Sequence, residues 1–344
     1  MIRYKPKVCQ PHCKSAGGVR ERNMDDNTNE RIGKTVSVVI PCYYSEKTIA
    51  KVVTLTREEL VKGGYDYEFI LVNDGSTDDT FGQIKKLAAE DPKVVGINCS
   101  INLGQHSALI CGLKHARGYY TLLMDDDMQT HPSQCLKLLD AIEEGGYDVV
   151  FARWEQQREA WWRLAGSAFT TWTMKVMTNR PKDIFASNFL IMKKHVREEI
   201  IRYPGPYVYI QGLIYRSTSN IGNVDVEHFE REDGKSGYTM KALIKLWSTI
   251  LNFSMLPLRA SSVIGSILGI LGLISGLAVV INKLIDPSSL ITGWPSLMAV
   301  FLFCTGIIMV SLGLIGEYLG RTFMTINHSP QYVIESLIDE RPAE

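Results

Sequence analysis

The sequence has no excess of charge of either sign and few cysteines. Its 344 residues include 37 lysines and arginines against 37 aspartates and glutamates. This neutral balance gives no indication of a nucleic-acid partner, which a basic sequence would suggest. The seven cysteines are scattered along the chain, so they do not form a disulfide framework and favour a reducing compartment. The N-terminal stretch is polar, and we expect no secretory signal there.

Charge is also missing from two stretches near the C-terminus. One covers the 23 residues between Arg259 and Lys283, and the other covers the 30 residues between Asp286 and Glu317. A bilayer core is crossed by about 20 apolar residues in a helix. The sequence therefore predicts two transmembrane helices, about 260–282 and 295–316. Because Arg259 and Arg321 flank the pair on one side, the positive-inside rule places the bulk of the protein in the cytoplasm.

The rest of the chain divides into segments of different composition. Residues 1–34 are polar and predict a disordered extension, residues 35–235 a globular domain, and residues 322–344 a cytoplasmic tail. Between them, residues 236–258 carry apolar side chains at helical spacing with lysines on the other face. This pattern predicts an amphipathic helix at the membrane interface, although a helix buried in a core would show a similar pattern.

Within residues 35–153, strand patterns alternate with helix patterns. "TVSVVIPC" is a β-branched run typical of a buried parallel strand, and it is followed by the helical pattern of "TIAKVVTLTREELVK". The same alternation continues through "YEFILVND", "KVVGINCS", "YYTLLMDDD" and "YDVVFARW". Repeated βαβ units predict an α/β, Rossmann-like domain with a mostly parallel sheet.

Three polar clusters follow the ends of predicted strands, at residues 41–46, 73–79 and 125–129. The third contains Asp125, Asp126 and Asp127 side by side. These aspartates alone are compatible with a solvated, helix-capping loop or with a divalent-cation site, where the metal would relieve their repulsion. Ligands bind beyond the carboxyl ends of strands in open α/β sheets. Three polar loops at one such edge therefore favour a functional site.

The segments "VSVVIPCYYSEKTI", "ILVNDGSTDDT" and "LLMDDDMQTHP" resemble successive motifs of family 2 glycosyltransferases of GT-A fold. With "NLGQHSALICGL", "KDIFASNFLIMKK", "REDGKSGYTMKAL" and the terminal "GEYLGR", the chain is most similar to polyprenyl-phosphate glycosyltransferases. This subgroup includes dolichyl-phosphate mannose synthase, bactoprenol glucosyltransferase and undecaprenyl-phosphate formamido-arabinose transferase. Residues 35–235 would then form a GT-A catalytic domain.

The resemblance implies an inverting enzyme of the bacterial inner membrane with a cytoplasmic catalytic domain. It would move one sugar from a nucleotide-sugar, a UDP-hexose or UDP-amino sugar, to undecaprenyl phosphate for cell-envelope glycan or lipid modification. The family also implies Mg²⁺ or Mn²⁺ and a homo-oligomer. Two alternatives are a processive polysaccharide synthase, although "WEQQREAWW" has the letters of its Q-x-x-R-W motif without the spacing, and a non-catalytic membrane scaffold.

The resemblance assigns the donor and metal sites to the three polar loops and a fourth. The family's D-x-D pair falls on Asp125 and Asp127, with Gln129 as a further metal ligand. Since successive strand residues point to opposite faces, Asp126 would face away from the ion. Asp74 would accept a hydrogen bond from the nucleotide base. The remaining nucleotide-sugar contacts implied by the family are Pro41, Tyr43, Glu46, Asn102 and Gly104, together with Asp125.

The acceptor site and the catalytic residues are assigned in the same way. A polyprenyl phosphate is already nucleophilic at neutral pH, since its second pKa is about 6 by analogy with phosphoserine. The site therefore needs cations to hold the phosphate in line more than it needs a strong base. Arg163, Arg231 and Ser236 are the acceptor candidates, and Asp127, Asp183 and Arg153 are the catalytic candidates. An exposed arginine could instead be an ordinary surface ion pair.

Overall fold

The structure, a computed structural model, describes residues 34–154, 184–227, 256–285 and 293–342. The described strands are β1 Thr35–Cys42, β2 Asp66–Asn73, β3 Val94–Cys99, β4 Tyr120–Leu123, β5 Val149–Arg153, β6 Leu190–Lys193, β7 Ile221–Asp225 and β8 Ile334–Ile338. The described helices are α1 Ile49–Lys62, α2 Thr80–Glu90, α3 Gln105–His115, α4 Cys135–Glu144, α5 Lys194–Ile201, α6 Ile210–Ser217, α7 Leu256–Ile285 and α8 Trp294–Ile326.

The eight strands form one sheet in the order β7-β5-β6-β4-β1-β2-β3-β8. The centre is parallel, with β1 between β4 and β2 and with β3 beside β2. Two strands run against their neighbours: β6 lies antiparallel between β4 and β5, and β8 is antiparallel to β3. The predicted α/β architecture with a mostly parallel sheet is thereby confirmed, and it agrees with the GT-A fold that the resemblance implied.

Both faces of the central sheet are covered, which explains its continuous apolar runs. In β1, Val38 and Ile40 belong to the core on one face, whereas Val39 belongs to the core on the other. Helix α3 packs very closely against this second face. A Cβ added at Gly112 would lie 2.4 Å from Val39 Cγ1, so a side chain there would push the helix away from the sheet. This packing fixes the start of α3 at the carboxyl edge.

Residues 334–338, within the segment 322–344 for which the sequence predicted a cytoplasmic tail, form strand β8 of the sheet. β8 pairs with β3 in the register Gly96↔Ile338 and Ile97↔Leu337. Beyond β8, Arg341 forms a buried ion pair with Glu68 and donates to Asp339 at 2.6 and 2.8 Å. A five-residue edge strand has little periodicity of its own, and its partner strand is far away in the sequence. For these reasons β8 was not predicted.

The two C-terminal helices are long: α7 has 30 residues and α8 has 33. In the described part of the chain, one helical segment, Phe303–Ile326 in α8, is long and apolar enough to cross a membrane by length and composition. Helix α7 contributes the shorter apolar run Ser261–Gly272. One candidate span is therefore found, and the second predicted span remains a prediction. The predicted amphipathic helix at 236–258 lies outside the described residues, except for its last three positions.

Candidate active site

An open cleft of about 290 Å³ lies at the carboxyl ends of the central strands. The loops that follow β1, β2, β3 and β4 meet there, as expected for a parallel sheet. The cleft is lined by Pro41, Cys42, Tyr43, Asp74, Asn102, Gly104, Gln105, Asp125, Asp126 and Asp127. The structure therefore brings together most of the side chains that the sequence nominated for the nucleotide and the metal.

Two nominated residues are not among those that line the cleft. Glu46 Oε2 accepts a hydrogen bond from the backbone N–H of Asp79 at 3.1 Å, which satisfies a donor at the start of α2. The backbone N–H of Gln129 donates to Asp127 Oδ1 at 3.1 Å, so Gln129 helps to shape the loop that carries the aspartates. A donor contact by Glu46 and metal ligation by the Gln129 side chain stay predictions.

Asp74 joins two of the loops. Its buried carboxylate accepts the backbone N–H of Leu103 at 3.0 Å and that of Gly104 at 2.9 Å. The next residue, Gly75, has φ +66°, and a Cβ there would lie 2.7 Å from the backbone nitrogen of Asn102. Only glycine adopts this conformation at so close an approach without strain. Asp74 therefore lines the cleft with its carboxylate fixed by two backbone N–H groups, and its contact with the nucleotide base stays a prediction.

The three aspartates lie in a loop, because β4 ends at Leu123. The strand-alternation argument therefore does not apply to them, and their hydrogen bonds distinguish them instead. Asp126 accepts the backbone N–H of Tyr43 at 3.2 Å and the hydroxyl of Ser45, so it ties this loop to the end of β1. Burial raises the pKa of Asp126, while these hydrogen bonds act in the opposite direction. Asp125 Oδ1 instead accepts from Gln105 Nε2 at 2.5 Å.

The cleft suits a hard divalent cation bound together with a diphosphate. Within the described ranges, no cluster of three or more His, Cys, Asp or Glu side chains forms a complete metal cage. Mg²⁺ rarely requires one, since it binds through one or two carboxylates, substrate phosphates and water. Asp125 and Asp127 both line the cleft and supply oxygen ligands of this kind. The donor set therefore fits Mg²⁺ or Mn²⁺.

Arg153 lies at the carboxyl end of β5 and pairs with Asp225 at the end of β7. Its Nε donates to Asp225 Oδ1 at 2.6 Å and its Nη2 donates to Asp225 Oδ2 at 2.9 Å. The hydrogen bonds from Arg153 lower the pKa of Asp225, and those to Asp225 raise the pKa of Arg153. In the structure, Arg153 therefore forms a surface ion pair, which was the alternative to a catalytic role. The catalytic role of Arg153 stays a prediction. The other catalytic and acceptor candidates, Asp183, Arg163, Arg231 and Ser236, lie outside the described residues.

Sequence reasoning did not nominate two polar residues of this site. Asp126 was expected to face away, but it is the hydrogen-bonded link between two loops of the cleft. Gln105 belongs to the recognised "NLGQHSALICGL" segment and begins α3, yet no role was assigned to it. Its position directly after the nominated Gly104 was the available signal. The contact with Asp125 could be seen only after the strands were placed side by side.

An α/β sheet with an acidic cleft at its carboxyl edge is typical of proteins that bind their ligands at this edge. Residues 37–198 match the sequence profile of glycosyl transferase family 2. The chain is 30% identical over 315 residues to the undecaprenyl-phosphate 4-deoxy-4-formamido-L-arabinose transferase of Proteus mirabilis, covering 91% of this chain and 96% of that protein. The enzyme of the same name from an Enterobacter species is 30% identical, over 88% of this chain and 93% of its own.

Among solved structures, glucosyl-3-phosphoglycerate synthase from Mycobacterium tuberculosis in complex with Mn²⁺, UDP-glucose and phosphoglyceric acid is similar with a TM-score of 0.49. It is 20% identical and covers 68% of this chain and 85% of its own. The sequence matches alone identify the chain: it belongs to glycosyltransferase family 2 and is a glycosyltransferase.

Proposed function

We propose that this enzyme transfers one sugar, with inversion, from a nucleotide-sugar to a polyprenyl phosphate at the cytoplasmic face of a bacterial inner membrane. One observation carries the proposal. The similarity to proteins named as undecaprenyl-phosphate sugar transferases extends over 91% of the chain, and so includes both the acidic cleft and the long C-terminal helices. A glycosyltransferase that acts on a soluble acceptor would have no need for the long C-terminal helices.

The donor would occupy the cleft. Asp74 would accept from the base, the exposed ring of Tyr43 would lie beside the nucleotide, and Asp125 and Asp127 would hold the metal. A bound Mg²⁺ or Mn²⁺ supplies positive charge that stabilises the departing nucleoside diphosphate. The loops that carry these residues are already linked through Asp74 and Asp126, so little ordering is needed when the donor binds.

The acceptor phosphate would be held by arginines near the membrane. Arg163, Arg231 and Ser236 are proposed for this role, with Asp183 positioning the reacting groups. Arg153 is the described candidate, and it would have to exchange Asp225 for the lipid phosphate. Both partners are exposed, and an exposed ion pair contributes little to stability, so this exchange is feasible. A guanidinium binds phosphate with two parallel hydrogen bonds, which also fixes the orientation of the nucleophile.

The sheet supports an even number of membrane crossings. The chain enters the sheet again at β8, only a few residues after α8, and β8 is hydrogen-bonded to β3. Both ends of the C-terminal helical segment, residues 256–326, would therefore lie on the same side of the membrane. If Phe303–Ile326 crosses the bilayer, a second crossing would have to precede it. Helix α7 is our candidate for that crossing, which gives two spans and a cytoplasmic catalytic domain.

The proposal is tested by a donor screen with the purified full-length protein, undecaprenyl phosphate and Mn²⁺. UDP-hexoses, UDP-amino sugars and the UDP-linked formamido-arabinose suggested by the relatives' name would be compared, with the lipid product identified by mass spectrometry. We expect one sugar per lipid from one donor class. A polymeric product would support a processive synthase instead, and no product from any donor would contradict the proposal.

A further inference from the structure

A chain of three side-chain amides leads from helix α6 to the acidic loop. Gln211 Nε2, in the first turn of α6, donates to Asn188 Oδ1 at 2.9 Å. Asn188 Nδ2 donates to Gln105 Oε1 at 3.4 Å. Gln105 Nε2 then donates to Asp125 Oδ1 at 2.5 Å. The three amides come from distant parts of the sequence, and they end on a side chain for which we propose metal binding.

The carboxylate of Asp125, the last acceptor, determines the direction of all three hydrogen bonds between these side chains. An ionised carboxylate only accepts hydrogen bonds, so the nitrogen of the Gln105 amide must face Asp125. The oxygen of Gln105 then faces Asn188, which must present its nitrogen. The oxygen of Asn188 in turn faces Gln211, which must also present its nitrogen. Gln105 and Asn188 therefore each accept at one end and donate at the other, and successive hydrogen bonds of this kind strengthen one another.

Gln211, the amide farthest from Asp125, carries a cost to stability. Gln211 is 6% exposed, and its Oε1 is a buried atom without a hydrogen-bond partner among the described residues. An unsatisfied buried polar atom of this kind lowers the stability of the fold. An apolar side chain at position 211 would avoid that cost. What the glutamine provides in exchange is its Nε2 donor to Asn188.

We infer that Gln105 is a positioning residue for Asp125, and that Asn188 and Gln211 act by holding the Gln105 amide in its donating orientation. This inference rests on the proposed role of Asp125 as a metal ligand. A hydrogen bond to one oxygen of a ligating carboxylate restricts its rotation, so the metal-facing geometry is set before the metal–diphosphate complex arrives. Partners of this type change metal affinity or activity by about 10–100-fold when removed.

The test uses Gln105→Met, which keeps the length of the side chain but removes both polar atoms. We expect the Mn²⁺ concentration for half-maximal activity to rise about 10-fold, and the Mn²⁺-dependent affinity for UDP in calorimetry to fall by a similar factor. Thermal stability should change little because Gln105 is exposed. The matched control is Gln83→Met, which removes a similar bond from Gln83 to Asp79 on α2, outside the residues that line the cleft. This control should behave as wild type.

A double-mutant cycle tests whether Asn188 acts on Asp125 through the Gln105 amide. Asn188→Ala should weaken Mn²⁺-dependent UDP binding by about 3-fold in the wild-type background, a milder loss than that of the direct partner. In the Gln105→Met background it should have no further effect, because the Gln105 amide through which Asn188 acts on Asp125 is gone. If Asn188→Ala has an equal effect in both backgrounds, the inference that Asn188 acts through Gln105 is overturned.

If the wild-type protein binds UDP in a metal-dependent way and Gln105→Met leaves that binding unchanged, the positioning role of Gln105 is overturned and the proposed function is not. Absence of metal-dependent UDP binding by the wild-type protein would overturn this role and the proposed function together.

Discussion

At the residue scale, three adjacent aspartates have different surroundings. All three line the cleft, but Asp126 is bonded to the end of β1, whereas Asp125 accepts from Gln105 and Asp127 accepts from the backbone of Gln129. The difference comes from distant partners, since Tyr43 and Asp126 are 83 positions apart in the chain. The sequence predicted that the D-x-D pair would ligate and that Asp126 would differ, but it could not predict what Asp126 contacts.

This difference leads to a prediction for three isosteric variants. Asp125→Asn and Asp127→Asn should each lower kcat about 10²-fold or more, because they remove negative charge that would hold the metal against the leaving diphosphate. Asp126→Asn should be milder, since the amide oxygen can still accept from Tyr43 and Ser45. The measurement is UDP release at saturating Mn²⁺. If Asp126→Asn is the most damaging change, our assignment of ligands is wrong.

At the element scale, the long buried strands were predictable and the short peripheral ones were not. β1 and β2 have eight residues each with continuous apolar runs, so their strand pattern is clear. β6 and β8 have four and five residues, and they are stabilised by neighbours that are remote in sequence. Acidic loops at the carboxyl edge were predictable for the same reason as the parallel strands. The amide chain through Asn188 depends on β6 and was therefore not predictable.

The element-scale prediction concerns the buried ion pair that holds the end of the chain on the sheet. Glu68 also accepts from the backbone N–H groups of Arg117 and Gly118, at 2.6 and 3.0 Å, and Arg341 is its cationic partner. Arg341→Met should destabilise the protein by about 3 kcal/mol, because it leaves a buried carboxylate without a counter-charge. Combining it with Glu68→Gln should recover part of that loss. The measurement is denaturant unfolding of the purified protein.

A matched control is available on the surface. Arg202 pairs with Glu199 at 3.0 Å, and both side chains are largely exposed. Arg202→Met should change the free energy of unfolding by only about 0–1 kcal/mol. Equal losses for Arg202→Met and Arg341→Met would show that the link between the C-terminal segment and β2 contributes nothing specific to stability.

The same link predicts a pH dependence. Hydrogen bonds from Arg341 lower the pKa of Asp339, although partial burial opposes them. The resulting stabilisation is fully present above the unfolded pKa of Asp, about 3.9, and is lost as the pH falls through the lower folded value. The melting temperature of the wild-type protein should therefore fall more steeply below about pH 4 than that of Asp339→Asn. Parallel pH profiles for the two proteins would contradict this account.

At the scale of the whole molecule, the return of the chain to the sheet at β8 supports the membrane topology that we propose. We expect both ends of the helical segment to be cytoplasmic and the residues around Ser288 to be external. An impermeant thiol reagent should label Ser288→Cys in intact cells, whereas Leu337→Cys, an exposed position on β8, should be labelled only after permeabilisation. Labelling of Leu337→Cys from outside would invert the topology and separate the catalytic domain from the cytoplasmic donor.

The central claim is metal-dependent transfer of one sugar to a lipid phosphate, and the most direct measurement follows both products together. Purified full-length protein would be given the donor selected by the screen, with and without undecaprenyl phosphate and Mn²⁺, while UDP and glycosylated lipid are quantified. We predict equal amounts of UDP and lipid-linked monosaccharide, formed only when both additions are present and reduced about 10²-fold or more in Asp127→Asn. UDP release that does not depend on undecaprenyl phosphate, or that survives in Asp127→Asn, would contradict the account.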